Sequence, residues 1–516
     1  MLNLLKTRKV ECLSLILLIG LYFVLRLPHL TLQPIFADEA IYIRWAQVMV
    51  AEPTLRFLPV TDGKTPLFMW IMMPSFKFFV DPLLTGRILS VFAGAATLAG
   101  VFFLGWKFFN LRSGLWAALL VAVTPFIVFF DRLALVDSML AAFSLWALIL
   151  GLLVVKYLRV DLAMCLGYAL GGALLTKTPA MFNFIALPFT ILTTNFSRVG
   201  REKRFLKILL LWILAVGIAL VMYNFLRLGP SFEKLNARNQ DYVFSPLELV
   251  GRPLDPFIPH FHDVTEFFSK LVGIVGSLFV ILGVILAIVK RNRVGLVILI
   301  WSLIPLLIEM AFLKTFTARY ILSSIAPLLI LAGWGISEIE KLMTARIKNK
   351  VLPALALFIV IVFYPLSFDY LLITAPAQAA VPVNDHKGYF EEWTAGYGFP
   401  EIAQFLIGKA QNGPVIVLTE GFFGTLPDGL EIYLEKYIHQ APKGHEIVVK
   451  GTGGIKIPED IRKTALTSQV YFVANRSRLD PLPPGVELIK EFPKNKTYIN
   501  SQEAIFLFKV LPEVKK

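Results

Sequence analysis

Long apolar runs, separated by short charged loops, recur along the chain from the N-terminus to about residue 371. Each run is close to the roughly 20 residues that an α-helix needs to cross the hydrocarbon core of a bilayer. The runs lie at approximately 11–29, 84–105, 114–130, 137–155, 161–177, 179–196, 205–226, 268–289, 294–312, 320–338 and 351–371. The pattern predicts a polytopic α-helical membrane protein with about 11 transmembrane helices.

The pattern changes after residue 371, where short apolar or β-branched runs alternate with polar segments. Such runs are typical of strands, and segments 400–409 and 428–437 have the character of helices. The expected strands are Val415–Leu418, Glu446–Val449, Val470–Val473 and Ala504–Phe508. We therefore predict a transmembrane domain over residues 1–372 and a soluble α/β domain over residues 373–516.

Basic residues indicate the orientation of the predicted helices, because Lys and Arg concentrate in cytoplasmic loops. Lys6, Arg8 and Lys9 precede the first apolar run, and no small-residue cleavage site follows it, which is typical of an uncleaved signal anchor. With a cytoplasmic N-terminus, every predicted inner loop is basic; these loops contain Lys107 and Arg112, Lys156 and Arg159, Arg198 to Lys207, Lys290 to Arg293, and Lys341 to Lys350. An odd number of spans places the C-terminal domain outside the cytoplasmic (plasma) membrane. If residues 161–196 form one kinked helix, the orientation downstream inverts.

The composition agrees with a membrane protein and disfavours nucleic-acid binding. A net charge of +14 would suggest nucleic acid in a soluble protein, but this chain is 57% hydrophobic and its basic residues lie in short loops. The two cysteines, Cys12 and Cys165, fall in or beside predicted spans. The sequence therefore supports neither a disulfide framework nor a cysteine metal site.

Two outer loops are long, at about residues 31–82 and 227–266. The first contains the adjacent acids Asp38 and Glu39, followed by a segment, Ala40 to Val50, whose apolar spacing predicts a helix lying in the membrane interface. An acidic pair just outside the bilayer can supply a general base. A solvated charge is the more common role for an Asp in an external loop.

Three further groups of polar residues lie beside predicted spans. Lys64 precedes Pro66 and an aromatic-rich segment, which places its ammonium at the membrane surface, where it suits a lipid phosphate. Arg132 and Asp137 lie at the outer mouth of two spans, where a charge must face the bundle or a cavity. The pair Arg319–Tyr320 repeats this arrangement before a later span. Taken singly, each cation can also be a snorkelling anchor.

Together these motifs resemble the GT-C superfamily of integral-membrane glycosyltransferases, and within it the protein O-mannosyltransferase and aminoarabinose-lipid A transferase group. The resemblance covers roughly residues 10–370, and the order and spacing of the motifs make it fairly specific. The motifs are the Asp38–Glu39 pair, Lys64-Thr65-Pro66-Leu67 with Trp70, Arg87 in Thr85–Ser90, Arg132 with Asp137, Lys177 in Leu175–Pro179, and Arg319–Tyr320 with Pro327.

The resemblance implies transfer of a sugar from a polyprenyl-phosphate carrier to a lipid, protein or glycan acceptor on the outer face of the membrane, with inversion at the anomeric carbon. Asp38 is the expected general base, and Glu39 is expected either to orient the acceptor or a cation, or to be a helix-start carboxylate. The candidates for the donor and its phosphate are Lys64, Arg132, Asp137, Arg319 and Tyr320. A guanidinium binds phosphate bidentately, which makes Arg319 the most specific of them.

The chain departs from the group's pattern at two positions. Thr65 stands where relatives often have Pro, and Gly63 stands where the aminoarabinose transferases have Glu directly before the Lys. The identity of the acceptor and any metal associated with that position are therefore open; no cofactor is predicted, although a divalent cation is compatible with the sequence. The soluble tail shares Glu391–Gly398 with bacterial members of the group, and this segment suggests no assignable activity.

Two other functional classes stay open. A transporter or flippase for lipid-linked sugars would also have many spans with intramembrane charges, but the sequence shows no symmetry between two halves. An O-antigen-type polymerase or ligase usually relies on a large late outer loop with Arg and His. The second outer loop contains Arg238, Arg252, His260 and His262.

Overall fold

The computed structural model of the chain describes residues 9–196, 200–252, 254–347, 349 and 351–512. Basic residues that support the predicted orientation lie outside this part of the chain, namely Lys6, Arg8, Arg198, Lys348 and Lys350, as do the side chains of Lys9 and Cys12. The protein separates into two compact units. Unit 1 comprises Met1–His29, Phe57–Phe68 and Ile88–Pro382, and unit 2 comprises Leu30–Arg56, Met69–Arg87 and Val383–Lys516.

The elements follow one another along the chain as helices, with strands near the start and towards the end. The helices are α1 (Lys9–Arg26), α2 (Ala37–Ala51), α3 (Leu67–Met72), α4 (Pro82–Phe108), α5 (Leu111–Val123), α6 (Pro125–Asp131), α7 (Asp137–Tyr157), α8 (Val160–Thr176), α9 (Met181–Ala186), α10 (Arg201–Asn224), α11 (Lys234–Tyr242), α12 (Pro246–Val250), α13 (Phe257–Phe267), α14 (Gly273–Val289), α15 (Arg293–Phe312), α16 (Leu322–Arg346), α17 (Leu352–Thr374), α18 (Val383–His386), α19 (Phe399–Ala410), α20 (Asp428–His439) and α21 (Glu459–Thr464). The strands are β1 (Ile35–Phe36), β2 (Ala395–Gly396), β3 (Val415–Thr419), β4 (Ile447–Gly451), β5 (Gln469–Asn475), β6 (Val486–Pro493) and β7 (Ala504–Val510).

Among the described residues, seven helices are long and apolar enough to cross a membrane, and there are eight spans if the bent pair α5 and α6 counts as one. Three shorter apolar helical stretches, Leu13–Arg26, Val160–Thr176 and Thr178–Thr193, coincide with the first, fifth and sixth predicted spans. The multi-pass helical class is therefore confirmed. The number of about eleven crossings and their orientation stay predictions.

Helices α5 and α6 meet at an angle of 56°. The bend follows from Pro125, which has no N–H to donate to Val121 and so interrupts the helical hydrogen bonds. Arg26, a fully buried residue of α1, donates from Nη2 to the oxygen of Val121 and from Nη1 to that of Ala122, at 3.0 and 2.8 Å. Its Nε also donates to Oδ2 of Asp131 at 2.8 Å. One arginine of unit 1 thus satisfies the carbonyls near the bend and fixes the end of α6 to α1.

The larger sheet of unit 2 has the strand order β4-β3-β5-β7-β6. Strands β4, β3 and β5 are parallel, and β7 runs antiparallel to both β5 and β6. The apolar residues of β5 and β7 form a core with those of α21; its buried members include Ile461, Phe472 and Phe508. The predicted C-terminal sheet domain is confirmed, and each predicted strand matches an observed one to within a few residues. Strand β6 and helix α21 were not predicted.

Unit 2 also contains two segments that the sequence assigns to the transmembrane domain, Leu30–Arg56 and Met69–Arg87. The first forms helix α2, which was expected to lie in the membrane interface. Most residues of α2 are buried, and it packs against α20. Arg44 pairs there with Glu431 and Glu435, while Nε2 of Gln47 donates to the oxygen of Ile432 at 2.9 Å. These polar contacts explain why the helix belongs to this unit.

Candidate active site

Glu39 and Arg87 form a buried ion pair in unit 2, and both side chains have no exposed surface. The guanidinium of Arg87 donates from Nε to Oε1 and from Nη2 to Oε2 of Glu39, each at 2.8 Å. Glu39 Oε2 also accepts the backbone N–H of Phe36 at 3.0 Å. The remaining donors of Arg87 reach backbone oxygens of the preceding loop, those of Leu30, Gln33 and Pro34. Of the two roles expected for Glu39, the geometry favours the helix-start carboxylate.

Asp38 is the second residue of α2 and is partly exposed. Successive helical residues point about 100° apart, so Asp38 faces a different direction from Glu39. The backbone N–H groups and the dipole of a helix N-terminus favour a carboxylate in its first turn. The bonds of Glu39 to Arg87 and Phe36 fix this turn, and with it the backbone from which the Asp38 side chain projects.

The chain immediately before Asp38 is also held by the tail segment that the sequence left without a role. Strand β1 pairs with β2, which lies within Glu391–Gly398, and the N–H of Ala37 donates to the oxygen of Thr394 at 3.0 Å. A Cβ on Gly396 would lie 2.6 Å from Cγ2 of Ile35, so this close pairing requires glycine. The shared motif therefore has a structural role, because it fixes the segment that leads into the acidic pair.

A second cluster lies in unit 1 and joins three residues that are far apart in the sequence. Asp137 is the first residue of α7, Lys177 follows the last residue of α8, and Tyr320 lies in the 3₁₀ turn before α16. Nζ of Lys177 lies 2.7 Å from Oδ1 of Asp137 and 4.3 Å from the centroid of the Tyr320 ring. The ammonium is thus held by a carboxylate and an aromatic face.

Glu309 of α15 adds a second carboxylate to this cluster. Its side chain is buried and interacts electrostatically with Lys177 and Asp137. Within the described part of the chain, Oε2 of Glu309 and Oδ2 of Asp137 have no hydrogen-bond partner. Buried polar atoms normally have partners, so these two oxygens indicate a place where a polar ligand group or water is accommodated.

Arg319, Lys64 and Arg132 occupy distinct places in unit 1. Cζ of Arg319 lies 5.3 Å from the Tyr320 ring, so Arg319 adjoins the cluster, whereas Nζ of Lys64 lies 4.0 Å from Oδ2 of Asp62. Arg132 is buried and donates to backbone oxygens at and just beyond the end of α1, at 2.6 Å to Arg26, 3.0 Å to Pro28 and 3.1 Å to His29. These bonds tie Arg132 to the end of α1, and its expected role at the donor phosphate stays a prediction.

The structure therefore brings Asp137 and Tyr320 together with Lys177 and Glu309. Lys177 belongs to one of the sequence motifs but was not among the predicted site residues. Glu309 was not identified from the sequence at all. Asp38 and Glu39 belong to unit 2, and the other predicted site residues belong to unit 1. An acid inside an apolar run, as in Ile304–Phe312, is a recognisable signal for Glu309. No group of three or more His, Cys, Asp or Glu side chains that could hold a metal ion occurs among the described residues.

Comparisons with known proteins show what this chain and its fold are similar to. Residues 63–223 match the family model of the dolichyl-phosphate-mannose-protein mannosyltransferases. No curated protein matches the sequence. The fold is similar to that of ArnT from Cupriavidus metallidurans in the apo state, with a TM-score of 0.55 and 16% identity over 96% of this chain and 97% of that one.

The same enzyme bound to undecaprenyl phosphate is similar at a TM-score of 0.55 and 16% identity, over 97% of this chain and 98% of that one. The archaeal oligosaccharyltransferase AglB from Archaeoglobus fulgidus, in complex with an inhibitory peptide and a dolichol-phosphate, is similar at a TM-score of 0.54 and 12% identity, over 90% of this chain and 69% of that one. The resemblance to the protein O-mannosyltransferase group is therefore confirmed by the family model over residues 63–223, and the fold over nearly the whole chain is similar to that of ArnT and AglB.

Proposed function

We propose that this protein is an inverting glycosyltransferase that moves a sugar from a polyprenyl-phosphate carrier to a lipid, protein or glycan acceptor. It does so on the outer face of the cytoplasmic membrane, with a cytoplasmic N-terminus and an extracytoplasmic C-terminal domain. The observation that carries the proposal is the cluster of buried Asp137 and Glu309 with half-buried Lys177 and Tyr320, in the unit that contains most of the matched residues. The lipid phosphates bound by the two similar structures support the carrier class.

The reaction proposed is a direct displacement. The acceptor hydroxyl oxygen attacks the anomeric carbon, the bond from that carbon to the phosphate oxygen breaks, and Asp38 takes the hydroxyl proton. The phosphate leaves on its lipid with its negative charge stabilised by cations, for which Arg319 and Lys64 are the candidates. General-base catalysis typically contributes about 10²–10⁴-fold, and stabilisation of developing charge is commonly the larger part.

The cluster itself supports a role in holding the donor. Lys177 supplies three ammonium donors, while the unpartnered oxygens of Asp137 and Glu309 are acceptors that suit sugar hydroxyls. Because Asp137 already neutralises the Lys177 ammonium, with Oδ1 2.7 Å from Nζ, the cluster suits a sugar better than a phosphate. Arg319 adjoins the cluster, with Cζ 5.3 Å from the centroid of the Tyr320 ring, and a guanidinium can bind a phosphate through two donors. Arg319 is therefore the better phosphate partner.

Sugar release in detergent solution tests this function. Purified protein is mixed with polyprenyl-phosphate sugars labelled in the sugar and with envelope glycans and glycolipids from its own cell as acceptors. We expect labelled acceptor and free polyprenyl phosphate to form together. Lys177→Met should abolish both products, whereas Arg159→Ala, which removes an exposed ion pair with Asp161, should leave them unchanged.

The assay in detergent also distinguishes a transferase from a transporter. Transport requires two compartments separated by a membrane, and a detergent solution has none. If the donor stays intact in detergent and the protein moves the same donor across the membrane of proteoliposomes, the proposal is overturned in favour of a flippase. Joining of preassembled lipid-linked glycans to one another, with no use of monosaccharide donors, would instead favour a polymerase or ligase.

A further inference from the structure

A polar cluster lies at the carboxyl ends of the parallel strands of unit 2, where the proposed reaction gives it no role. The chain passes from β3 to β4 on one side and then to β5 on the other, so the connections diverge between β3 and β5. Ligands of open parallel α/β sheets bind at such a switch point, beyond the carboxyl ends of the strands. Glu420 directly follows β3, and Asn475 is the last residue of β5.

The side chains at this point form one connected hydrogen-bond network. The backbone N–H and Nδ2 of Asn475 donate to Oε2 and Oε1 of Glu420, at 2.5 and 2.7 Å. Nζ of the buried Lys494 donates to Oδ1 of Asn475 at 2.6 Å and to the oxygen of Glu392 at 2.9 Å. Burial lowers the pKa of Lys494 to about 8 and raises that of Glu420. The network therefore presents fixed donors and acceptors at the edge of the sheet.

One exposed aromatic ring borders this network. Trp393, next to Glu392, is 40% exposed, although the Arg478 guanidinium lies 5.3 Å from its ring centroid. A Cβ on Gly424 would lie 3.9 Å from Cζ3 of Trp393, so the loop after Glu420 approaches the same ring. An exposed Trp beside fixed polar groups combines an apolar face with hydrogen-bonding edges.

Two carboxyl groups occupy the positions at the switch point where an anionic ligand would bind. The N-terminal turn of α20, where a parallel α/β fold would bind phosphate, already holds the buried carboxylate of Asp428. Its Oδ2 accepts the N–H of Gly424 at 2.6 Å. The carboxylate of Glu420 lies at the carboxyl end of β3 itself. A nucleotide or free phosphate would therefore find the helix terminus occupied by Asp428 and the end of β3 occupied by Glu420.

We infer that this edge of unit 2, formed by Trp393, Glu420, Asn475 and Arg478, binds a saccharide. A neutral sugar ring offers an apolar face for Trp393 and hydroxyl groups that both donate to Glu420 and accept from Arg478, while the buried Asn475 holds Glu420 in place. The saccharide binds without reacting, so this site goes beyond the proposed transferase function. Where transfer also occurs, the saccharide belongs to the acceptor.

Direct binding tests the site without any donor. Purified full-length protein in detergent is titrated calorimetrically with the soluble hexasaccharides of mannose, glucose and N-acetylglucosamine, and with ADP. We expect at least one hexasaccharide to bind with a Kd of about 1 mM or tighter, and ADP not to bind. Trp393→Ala and Glu420→Gln should each weaken that binding by about tenfold or more. Leu466→Ala, at an exposed residue just before β5 begins, should not change it.

The outcomes separate this inference from the proposed function. No binding of any hexasaccharide, binding that both variants leave unchanged, or tighter binding of ADP would overturn the saccharide site. Thermal unfolding of each variant checks that lost binding does not reflect lost folding. Sugar transfer by a protein that binds no saccharide here would overturn this inference alone, whereas saccharide binding without transfer would overturn the proposed function alone.

Discussion

Arg87 and Glu39 are 48 residues apart in sequence, yet both N–H groups on one edge of the Arg87 guanidinium donate to the two carboxylate oxygens of Glu39, at 2.8 Å each. The pair is fully buried, and Arg87 also donates to three backbone oxygens of the loop Leu30–Pro34. Arg87 therefore organises both the loop that follows α1 and the first turn of α2. Arg87, which the sequence identifies only as part of a motif, thus holds in place the helical turn that carries Asp38.

Breaking this pair is expected to destabilise the protein. Glu39→Gln leaves the guanidinium buried without its counter-charge. Arg87→Met leaves the Glu39 carboxylate buried without its counter-charge and also removes the donor to three backbone oxygens. Removing one partner of a buried pair costs about 3–5 kcal/mol. Thermal unfolding of the full chain in detergent should show a clear loss for both variants, with Arg87→Met the less stable. Glu52→Gln, at an exposed acid just after the same helix, is the matched control. Unfolding midpoints equal to wild type would show that the pair does not hold this region.

Asp38 should affect turnover rather than stability. Asp38→Asn keeps the shape of the side chain and removes the proton acceptor, so transfer from a polyprenyl-phosphate sugar should fall by at least about 10²-fold. Donor binding and the unfolding midpoint should stay close to those of wild type. Measuring turnover, donor binding and the unfolding midpoint distinguishes Asp38 from Glu39, because substitution of Glu39 should mainly lower the unfolding midpoint. Near wild-type turnover of Asp38→Asn would exclude it as the base.

Topology can be checked by cysteine labelling after both native cysteines are replaced by serine. Exposed positions suit this experiment, which rules out the buried Gln33 in the first outer loop. Cysteines at the exposed Glu52 and Gln411 should react with a membrane-impermeant thiol reagent in intact cells. Cysteines at Lys107 and Lys341, also exposed, should react only after the cells are opened. The opposite labelling pattern would invert the proposed orientation and remove the outer-face mechanism.

The pH dependence of stability should report on Asp428 in unit 2. Burial is the main cause that raises its pKa to about 7 from an ordinary value of 3.8. Between about pH 4 and pH 7, the folded protein therefore holds a proton that the unfolded chain has released. Wild type should lose stability relative to Asp428→Asn across this window as the pH rises, by up to roughly 1.4 kcal/mol per pH unit.

Unfolding midpoints of wild type and Asp428→Asn, measured across that range, check this expectation. The exposed Asp460→Asn variant is the control and should follow wild type. Above about pH 7, the difference between wild type and Asp428→Asn should stop growing, because Asp428 is then ionised in both states. A constant difference across the whole range would show that Asp428 does not titrate there.

Much of the fold was predictable because burial repeats locally along the chain. The apolar runs identify the membrane helices, and the four C-terminal β-branched or apolar runs became β3, β4, β5 and β7. Strand β6 was missed since most of its residues, which include Glu487, Lys490 and Glu491, are exposed on an edge strand paired only with β7. Its formation depends on that partner, and its own sequence gives little indication of it.

The sequence predicts the types of residue that form the candidate site, but it does not predict which of their side chains contact one another. Asp38, Asp137 and Tyr320 stand out as polar residues beside apolar runs. The partners of these residues depend on contacts between distant segments, such as Lys177 with Asp137 and Arg132 with the end of α1. A single sequence does not specify those contacts, because they arise only when the helices pack.

The phosphate of the donor should depend on Arg319 and Lys64. If they hold it, removing either leaves the anion short of a charge-assisted partner worth about 1.5–3 kcal/mol, so Arg319→Ala and Lys64→Ala should weaken binding of a polyprenyl phosphate by roughly 10- to 150-fold. Arg319→Lys should restore only part of the affinity, because a point charge cannot reproduce a bidentate guanidinium. Arg159→Ala, an exposed cation on a predicted inner loop, is the control and should bind as wild type does. Lipid-phosphate affinity that is indifferent to all three changes, or tight binding of the free sugar instead, would point to a transporter.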